Sequence, residues 1–212
     1  LLFNFAPHGV CSVHVNFGIN MSGLWSKEKL PEIRTLVGTG FFFLPLAREY
    51  QTWMGTLPVS SGEVRKAFSK KLDLGLVPGG FEEAVLSHPG TNELFLMENL
   101  GWVKHAIRGG YGVVPVFSFG ETELIPQWRG YKLERARFAG KTRIPMICPM
   151  RLVPKRHPVS LVVGAPVWFP HIADPTKEQL RECHGRYVTA VRGLYEKHRG
   201  RFGAGEVPLA VC

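Results

Sequence analysis

Two hydrophobic patterns alternate along the chain and define its expected elements. Short apolar runs bounded by Gly or Pro predict buried strands, at residues 1–5, 72–77 and 113–119. Apolar positions three and four residues apart predict helices, at residues 63–71, 98–108 and 176–199. The last of these opens on Thr176 with Gln179, the spacing of a capping box. Strands alternating with helices predict an α/β fold, a mixed sheet with helices packed on it.

Two further segments are also expected to be helical. Small and apolar residues over 10–23 predict the start of a buried helix behind the first strand. Ser26 can cap a second helix, whose apolar positions would be Leu30, Ile33 and Val37.

Two aromatic segments differ in whether they are expected at the surface. Phe41, Phe42 and Phe43 are adjacent, so they cannot all point the same way, and the pattern leaves core packing and partial exposure to lipid open. The glycines before them lack the spacing of a dinucleotide loop. Residues 126–143 are polar, basic and aromatic, which predicts an exposed insertion.

The end of the first strand carries the most suggestive candidate for chemistry. Pro7 favours an extended residue before it, and Gly9 permits a tight turn just after His8. This places the imidazole of His8 at a strand end, where it could act as a general base near neutral pH. A single His at such a position is more often structural.

A Gly-Gly pair follows another predicted strand. Gly79 and Gly80 could bring backbone amides close to a phosphate or an oxyanion, or could simply form a tight connection. Glu82 and Glu83 come next, at a predicted helix start, where carboxylates are favoured by the helix dipole without any chemistry.

Composition narrows the function classes. At 212 residues the chain is expected to be one domain spanning 1–212, with a sizeable core. A net charge of +9 suits anionic partners, but no nucleic-acid motif or basic cluster is present, so nucleic acid is not expected. The four scattered Cys residues predict neither a zinc site nor a disulfide framework. No apolar run reaches the roughly 18 residues needed to span a bilayer as a helix.

An ordered set of motifs resembles the type-two diacylglycerol acyltransferase family, which includes the monoacylglycerol acyltransferases. Residues 7–9 resemble the last three positions of its H-P-H-G block, residues 45–50 its P-x-x-R-E-Y block and residues 58–60 its P-V-S block. The blocks continue with G-G-x-x-E at 79–83, G-F-V-K at 101–104, V-P-x-x-S-F-G-E at 114–121 and V-G-x-P-I at 163–167. One departure is that Ala6 stands where the motif has its first His.

The resemblance implies a reaction and a location. The activity would be transfer of a fatty acyl group from acyl-CoA to the free hydroxyl of diacylglycerol, giving triacylglycerol. Monoacylglycerol or a wax-type alcohol remain alternative acceptors, and the oligomeric state is left open. No metal and no cofactor besides acyl-CoA as co-substrate would be needed. The enzyme would work on the cytoplasmic face of the endoplasmic reticulum membrane, or on lipid droplets, behind a hydrophobic membrane hairpin upstream of Leu1.

The resemblance also implies roles for particular residues. His8 would be the base, and Glu83 would contact its other ring nitrogen. Ala6 is expected on the same face as His8, where a small side chain leaves room for substrate. Residues expected to bind substrate are Pro7, Gly9, Arg48, Glu49, Tyr50, Gly79 and Gly80.

Two competing functions remain. A lysophosphatidate-type acyltransferase would carry an Asp five residues after the His, but that position is Val13. A non-catalytic lipid-binding or scaffold relative is supported only by Ala6 and by the absence of an upstream segment.

Overall fold

The computed structural model describes residues 1–21, 28, 31–96, 100–142, 144, 146–151 and 153–212. Its strands are β1 (Leu2–Ala6), β2 (Ile33–Val37), β3 (Leu57–Pro58), β4 (Asp73–Leu76), β5 (Asn92–Leu94), β6 (Gly112–Phe119), β7 (Ser160–Val163), β8 (Val167–Trp168) and β9 (Leu209–Val211). Its α-helices are α1 (Ala47–Trp53), α2 (Ser61–Ser69), α3 (Gly80–Leu86), α4 (Gly101–Gly109), α5 (Glu121–Leu124), α6 (Lys132–Thr142) and α7 (Lys177–His198). A π-helix covers His14–Met21 and a 3₁₀ helix covers Thr39–Phe43.

The sheet is mixed, as the sequence predicted. Its order is β3-β2-β4-β1-β6-β7, with β8 also pairing with β6. The strands from β3 to β6 in this order run parallel, whereas β7 and β8 are antiparallel to β6. A separate parallel pair joins β5 to β9. The α/β expectation is confirmed.

Strand β1 lies at the centre of the parallel part, between β4 and β6. All five of its residues are buried, because helices cover both faces of the sheet. Phe3 and Phe5 pack against the π-helix through Val15 and Ile19. Leu2 and Ala6 face the opposite side, in the larger core that α4 and α7 complete.

The placement of Ala6 corrects one sequence prediction. Ala6 is 1% exposed and belongs to the same core cluster as Leu36 and Phe117. It therefore packs in the interior and does not open a space for substrate beside His8.

Several predicted helices are confirmed. Thr176 and Gln179 cap α7 reciprocally, and α7 buries a stripe at helical spacing that lies against the sheet: Cys183, Tyr187, Val191 and Tyr195. Ser60 caps α2 by accepting the N–H of Glu63. The predicted start of α4 at Glu98 lies outside the described residues.

The predicted helix through Ile33 and Val37 is wrong, because these residues form β2. Strand β2 pairs with both β3 and β4, and its Ile, Thr and Val are β-branched types that suit a pleated sheet. The three apolar positions behind that prediction span too few residues to distinguish the helical repeat of 3.6 residues from the strand repeat of two. Ser26 and Leu30, the other parts of that prediction, lie outside the described residues.

Residues 126–143 are less exposed than the sequence predicted. Their helix α6 packs on α3, and the small residues Ala136 and Ala139 allow the two helices to approach closely. Gln127 is buried and donates to the carbonyl groups of Ala84, Val85 and Ser87. The aromatic part of the prediction holds at Trp128, Tyr131 and Phe138, which remain exposed.

A second exposed apolar feature precedes α1. Phe43, Leu44 and Leu46 are all exposed, and we call these three residues the apolar loop. Phe41, by contrast, points inward to the ring of Phe81. In the described ranges, no helix combines the length and the apolar character needed to cross a bilayer.

Candidate active site

Three parallel strands of the sheet end at one edge and deliver the candidate site. The chain after β1 carries His8, the loop after β4 carries Gly79 and leads to Glu83, and Glu121 comes directly after β6. These strands are immediate neighbours, so the residues that follow them meet at their carboxyl ends. The structure thus brings together His8 and Glu83, as the sequence led us to expect.

The turn around His8 fixes the state of its imidazole. Its Nδ1 lies 2.9 Å from the carbonyl oxygen of Gly9, which can only accept a hydrogen bond. The proton is therefore on Nδ1, and Nε2 carries the basic lone pair. The hydroxyl of Ser12 lies 3.2 Å from the same Nδ1 and donates to the carbonyl of His8 at 3.1 Å. Gly9 adopts φ +64°, a backbone conformation that permits this tight turn.

The electrostatic setting keeps His8 neutral. Burial lowers the pKa of His8, and the nearby His14 lowers it further, whereas the Gly9 carbonyl and Glu121 oppose the change. A half-buried neutral imidazole whose Nε2 forms no hydrogen bond with any described residue is equipped to accept a proton.

Glu83 is held inside the protein by two main-chain donors. Its side chain is almost fully buried, with Oε1 accepting the backbone N–H of His8 at 2.5 Å and Oε2 accepting that of Phe95 at 2.8 Å. The expected bond from Glu83 to the imidazole is thus replaced by one to the main chain of His8. Burial raises the pKa of Glu83 to about 7, although both N–H groups counteract the rise.

The Gly-Gly pair makes room for this carboxylate. A Cβ atom on Gly79 would lie 1.9 Å from Oε2 of Glu83, so no larger residue fits there without moving the acid. Gly80 adopts φ +58°, and its N–H donates to the carbonyl of Val77. Both glycines therefore have structural tasks next to the site, and their binding of an oxyanion stays a prediction.

Glu121 is a site residue that sequence reasoning missed. It is 2% exposed, and its carboxylate accepts the N–H groups of Val13 at 2.8 Å and His14 at 3.0 Å. Nδ1 of His14 lies 3.0 Å from Oε2 of Glu121. A Cβ atom on Gly9 would lie 2.4 Å from its Oε1. Glu121 therefore ties the end of β6 to the start of the π-helix, directly under the His8 turn.

A signal for Glu121 did exist in the sequence. Glu121 is the final residue of the block at 114–121 that resembles V-P-x-x-S-F-G-E, and Gly120 just before it takes φ +89°. Its partners are more than a hundred residues away in the chain, so no local pattern links them. The same holds for His14, which a sequence reading treats as an ordinary packed residue.

A buried polar layer continues beneath Glu83. The hydroxyl of Tyr187 on α7 lies beside the side chain of Asn4 on β1, and the charge of Glu83 acts on it. Burial raises the pKa of Tyr187 far above its ordinary value, so the phenol stays neutral.

The Arg48-Glu49-Tyr50 block lies on α1 and is not joined to the His8 turn directly. Arg48 pairs with Glu49 at 2.7 Å, and Tyr50 donates weakly to the sulfur of Met21 at the end of the π-helix. Within the described part of the chain, none of the three forms a hydrogen bond or ion pair with His8 or Glu83. Their link to the site runs through the π-helix, which starts beside the His8 turn.

Comparison with known proteins gives a consistent result. A family model described as diacylglycerol acyltransferase matches residues 1–211. The chain is 34% identical to 2-acylglycerol O-acyltransferase 1 of Bos taurus, over 97% of this chain and 67% of that protein. It is 31% identical to diacylglycerol O-acyltransferase 2 of Homo sapiens, over 98% of this chain and 59% of that protein. It is 30% identical to diacylglycerol O-acyltransferase 1 of Schizosaccharomyces pombe, over 95% and 64%. The chain thus spans about two thirds of the length of these relatives, and no solved structure matches it.

Proposed function

The chain belongs to the diacylglycerol acyltransferase family, and from that premise we propose that it transfers a fatty acyl group from acyl-CoA to the free hydroxyl of diacylglycerol. The observation that carries the proposal is the imidazole of His8. Its Nδ1 is occupied by the Gly9 carbonyl, which leaves Nε2 as a base at the edge where three parallel strands end. Monoacylglycerol is the second candidate acceptor, because one similar protein is named as a 2-acylglycerol acyltransferase.

The reaction needs one proton acceptor and no covalent enzyme intermediate. Nε2 of His8 takes the proton of the lipid hydroxyl while that oxygen attacks the carbonyl carbon of the thioester. The tetrahedral intermediate then collapses, the carbon–sulfur bond breaks, and the thiolate of CoA leaves. The imidazolium returns its proton to the sulfur, which restores the neutral base.

The two buried glutamates act on His8 indirectly in this mechanism. Glu83 holds the main-chain N–H of His8, so it fixes where the imidazole stands. Glu121 supplies a nearby negative charge that favours the imidazolium formed during attack. The Gly9 carbonyl, rather than a carboxylate, sets the tautomer. Both acids are therefore positioning residues.

Substrate contacts complete the proposal. Pro7 and Gly9 flank the base. In the Gly79-Gly80 loop, the main-chain N–H of Gly79 would stabilise the oxyanion, since that of Gly80 donates to the carbonyl of Val77. Arg48, Glu49 and Tyr50 on α1 would border the lipid. Their position beside the apolar loop supports this role, because exposed apolar residues next to a charged helix suit an interface between water and lipid.

We place the activity at a membrane surface, namely the cytoplasmic face of the endoplasmic reticulum. The support is the apolar loop together with the net charge of +9, since apolar insertion and attraction to anionic lipid act together at such surfaces.

The test measures initial rates with labelled acyl-CoA for four proteins, each normalised to folded enzyme: the wild type, His8→Ala, Glu83→Ala and the double variant. His8→Ala is expected to remove nearly all turnover. The double variant should be little worse than His8→Ala alone, because residues that act as a unit are non-additive. An active His8→Ala enzyme would overturn the mechanism.

A panel of acceptors decides the substrate. Diacylglycerol, monoacylglycerol and a long-chain alcohol are compared at equal surface concentration, and the proposal expects the highest kcat/KM for diacylglycerol. A higher value for monoacylglycerol would transfer the assignment to the second candidate.

A further inference from the structure

A cavity of about 760 Å³ lies at the edge of the sheet opposite to His8. It is bordered by Gly112 at the start of β6, by Trp168 at the end of β8, and by residues of α2 and α4. At about 3.3 Å per strand residue, β1 and β6 separate it from the His8 edge by about 20 Å. We call it the basal cavity.

Three aromatic side chains give the basal cavity an apolar lining. The rings of Phe68 and Tyr111 lie 4.2 Å apart, and the ring of Trp168 is 61% exposed at the wall. A Cβ atom on Gly112 would meet the Trp168 ring at 3.0 Å, and one on Gly109 would meet Tyr111 at 2.9 Å. Because both positions are glycine, the rings of Trp168 and Tyr111 have room to pack against the main chain there.

The charged side chains among the described residues that line the basal cavity are all basic: Arg65, Lys71 and Arg108. His105 lines it as well, and the carboxylate of Asp73 acts on Tyr111 from outside this lining. Arg108 is held at the rim by Asp174 at 3.0 Å. Arg65 and Lys71 form no ion pair with any described residue.

Two of the cavity's cations act on one imidazole. Burial lowers the pKa of His105, and the charges of Arg108, Arg65 and Lys104 lower it further. Lys71 reaches the cavity from a left-handed backbone at φ +55°, a costly conformation for a residue with a side chain. An excess of positive charge next to an aromatic wall is complementary to an anion with an apolar body.

We propose that the basal cavity binds the phosphate head group of an anionic lipid, with Arg65 and Lys71 on the phosphate and Trp168 against the acyl chains. The volume suits a head group and the first part of its chains. An exposed Trp beside basic residues is the arrangement that side chains take at the level of lipid head groups. This site is separate from the acyl-transfer site and takes no part in its chemistry.

The test measures binding of dioctanoyl phosphatidate, below its micelle concentration, by calorimetry. It uses the complete natural protein, because any residues preceding Leu1 would enter beside the cavity. Arg65→Gln combined with Lys71→Gln is expected to weaken binding about tenfold or more. The matched control combines Lys66→Gln with Lys70→Gln, which removes the same charge from neighbouring positions outside the cavity lining.

Two further ligands and two further variants identify the ligand and its site. Inorganic phosphate and dioctanoylglycerol should each bind at least about tenfold more weakly than phosphatidate. Inorganic phosphate lacks the acyl chains, and dioctanoylglycerol lacks the phosphate group. Trp168→Ala should weaken phosphatidate but leave inorganic phosphate unchanged. His8→Ala should bind phosphatidate normally, so the result does not depend on whether the acyl-transfer mechanism is right.

Other results would overturn the proposal. Equal losses in the cavity variant and its control would indicate general charge attraction. Loss of binding only in His8→Ala would place the lipid at the acyl-transfer site. Equal affinity for phosphate and phosphatidate would assign the cavity to free phosphate, and absence of binding in the complete protein would mean that another segment fills it.

Discussion

The most quantitative prediction concerns the buried carboxyl of Glu83. In the folded protein its pKa is about 7, against an ordinary value of 4.5. Between these two values the unfolded chain loses the proton first, so the folded state binds more protons. The free energy of unfolding therefore falls as the pH rises through this window. The gap corresponds to about 3 kcal/mol, a large part of the stability of a typical domain.

The change that isolates this effect is Glu83→Gln, which cannot ionise. The free energy of unfolding is measured by urea denaturation of both proteins at intervals between pH 4.5 and pH 8. The wild type should lose about 3 kcal/mol relative to the variant over that range. The difference in the free energy of unfolding between the two proteins isolates Glu83, because His8 titrates in both. Since the pKa of His8 is lowered, its own contribution has the opposite sign.

A second prediction concerns the difference in the free energy of unfolding between wild type and Glu83→Gln at acid pH. The N–H groups of His8 and Phe95 bond to different oxygens of Glu83, and in Gln one of those places is taken by an NH₂ group, which cannot accept a hydrogen bond. At pH 4.5 the variant should therefore be less stable by about 1–3 kcal/mol, the cost of one unsatisfied buried donor. Glu206→Gln, at an exposed position, controls for a change of net charge. A difference between wild type and Glu83→Gln that is the same at pH 4.5 and pH 8 would refute the conclusion that burial outweighs the two N–H bonds.

Three further predictions follow from the same geometry. Gly79→Ala should displace the Glu83 carboxylate, lowering the free energy of unfolding by about 2–4 kcal/mol and reducing turnover per folded molecule; normal values in denaturation and rate assays would show that a Cβ atom at position 79 fits beside this carboxylate. Glu121→Gln removes a charge that raises the pKa of His8, so the acid limb of the profile of kcat/KM against pH should move to lower pH; an unmoved limb would mean that Glu121 is only structural. Replacing the apolar loop with Ser should reduce flotation with anionic liposomes at both low and high salt, whereas a loss at high salt alone would indicate that charge does most of the binding.

The sequence predicted the parts of the site that are local in the chain. The His8 turn was recognisable because an apolar run, a Pro, a His and a Gly are consecutive. The Gly-Gly loop and the helix carrying Glu83 were recognisable for the same reason. Their meeting at one sheet edge could be inferred from the rule for parallel strands.

The predictions that failed concerned contacts between segments that are distant in the sequence. The strand at Ile33–Val37 resembled a helix until its partners β3 and β4 were known. The carboxylate of Glu83 was expected on the imidazole, but local sequence cannot distinguish a ring nitrogen from a main-chain N–H of the same residue. Glu121 was missed because its role arises only when the end of β6 meets the start of the π-helix.

The contacts of Gly9 with Glu121 and of Gly79 with Glu83 have a consequence for protein engineering. Each acid occupies the volume that a side chain at its glycine would need. Anyone who grafts this site onto another scaffold must transfer four residues as two inseparable couples, since a glutamate without its glycine would have no space and a glycine without its glutamate would leave a gap. The same coupling suggests how to alter the site: Gly79→Ala combined with Glu83→Asp moves volume from one partner to the other while keeping a carboxylate in place. Gly9 does not allow this exchange, because its φ of +64° disfavours any residue with a Cβ atom.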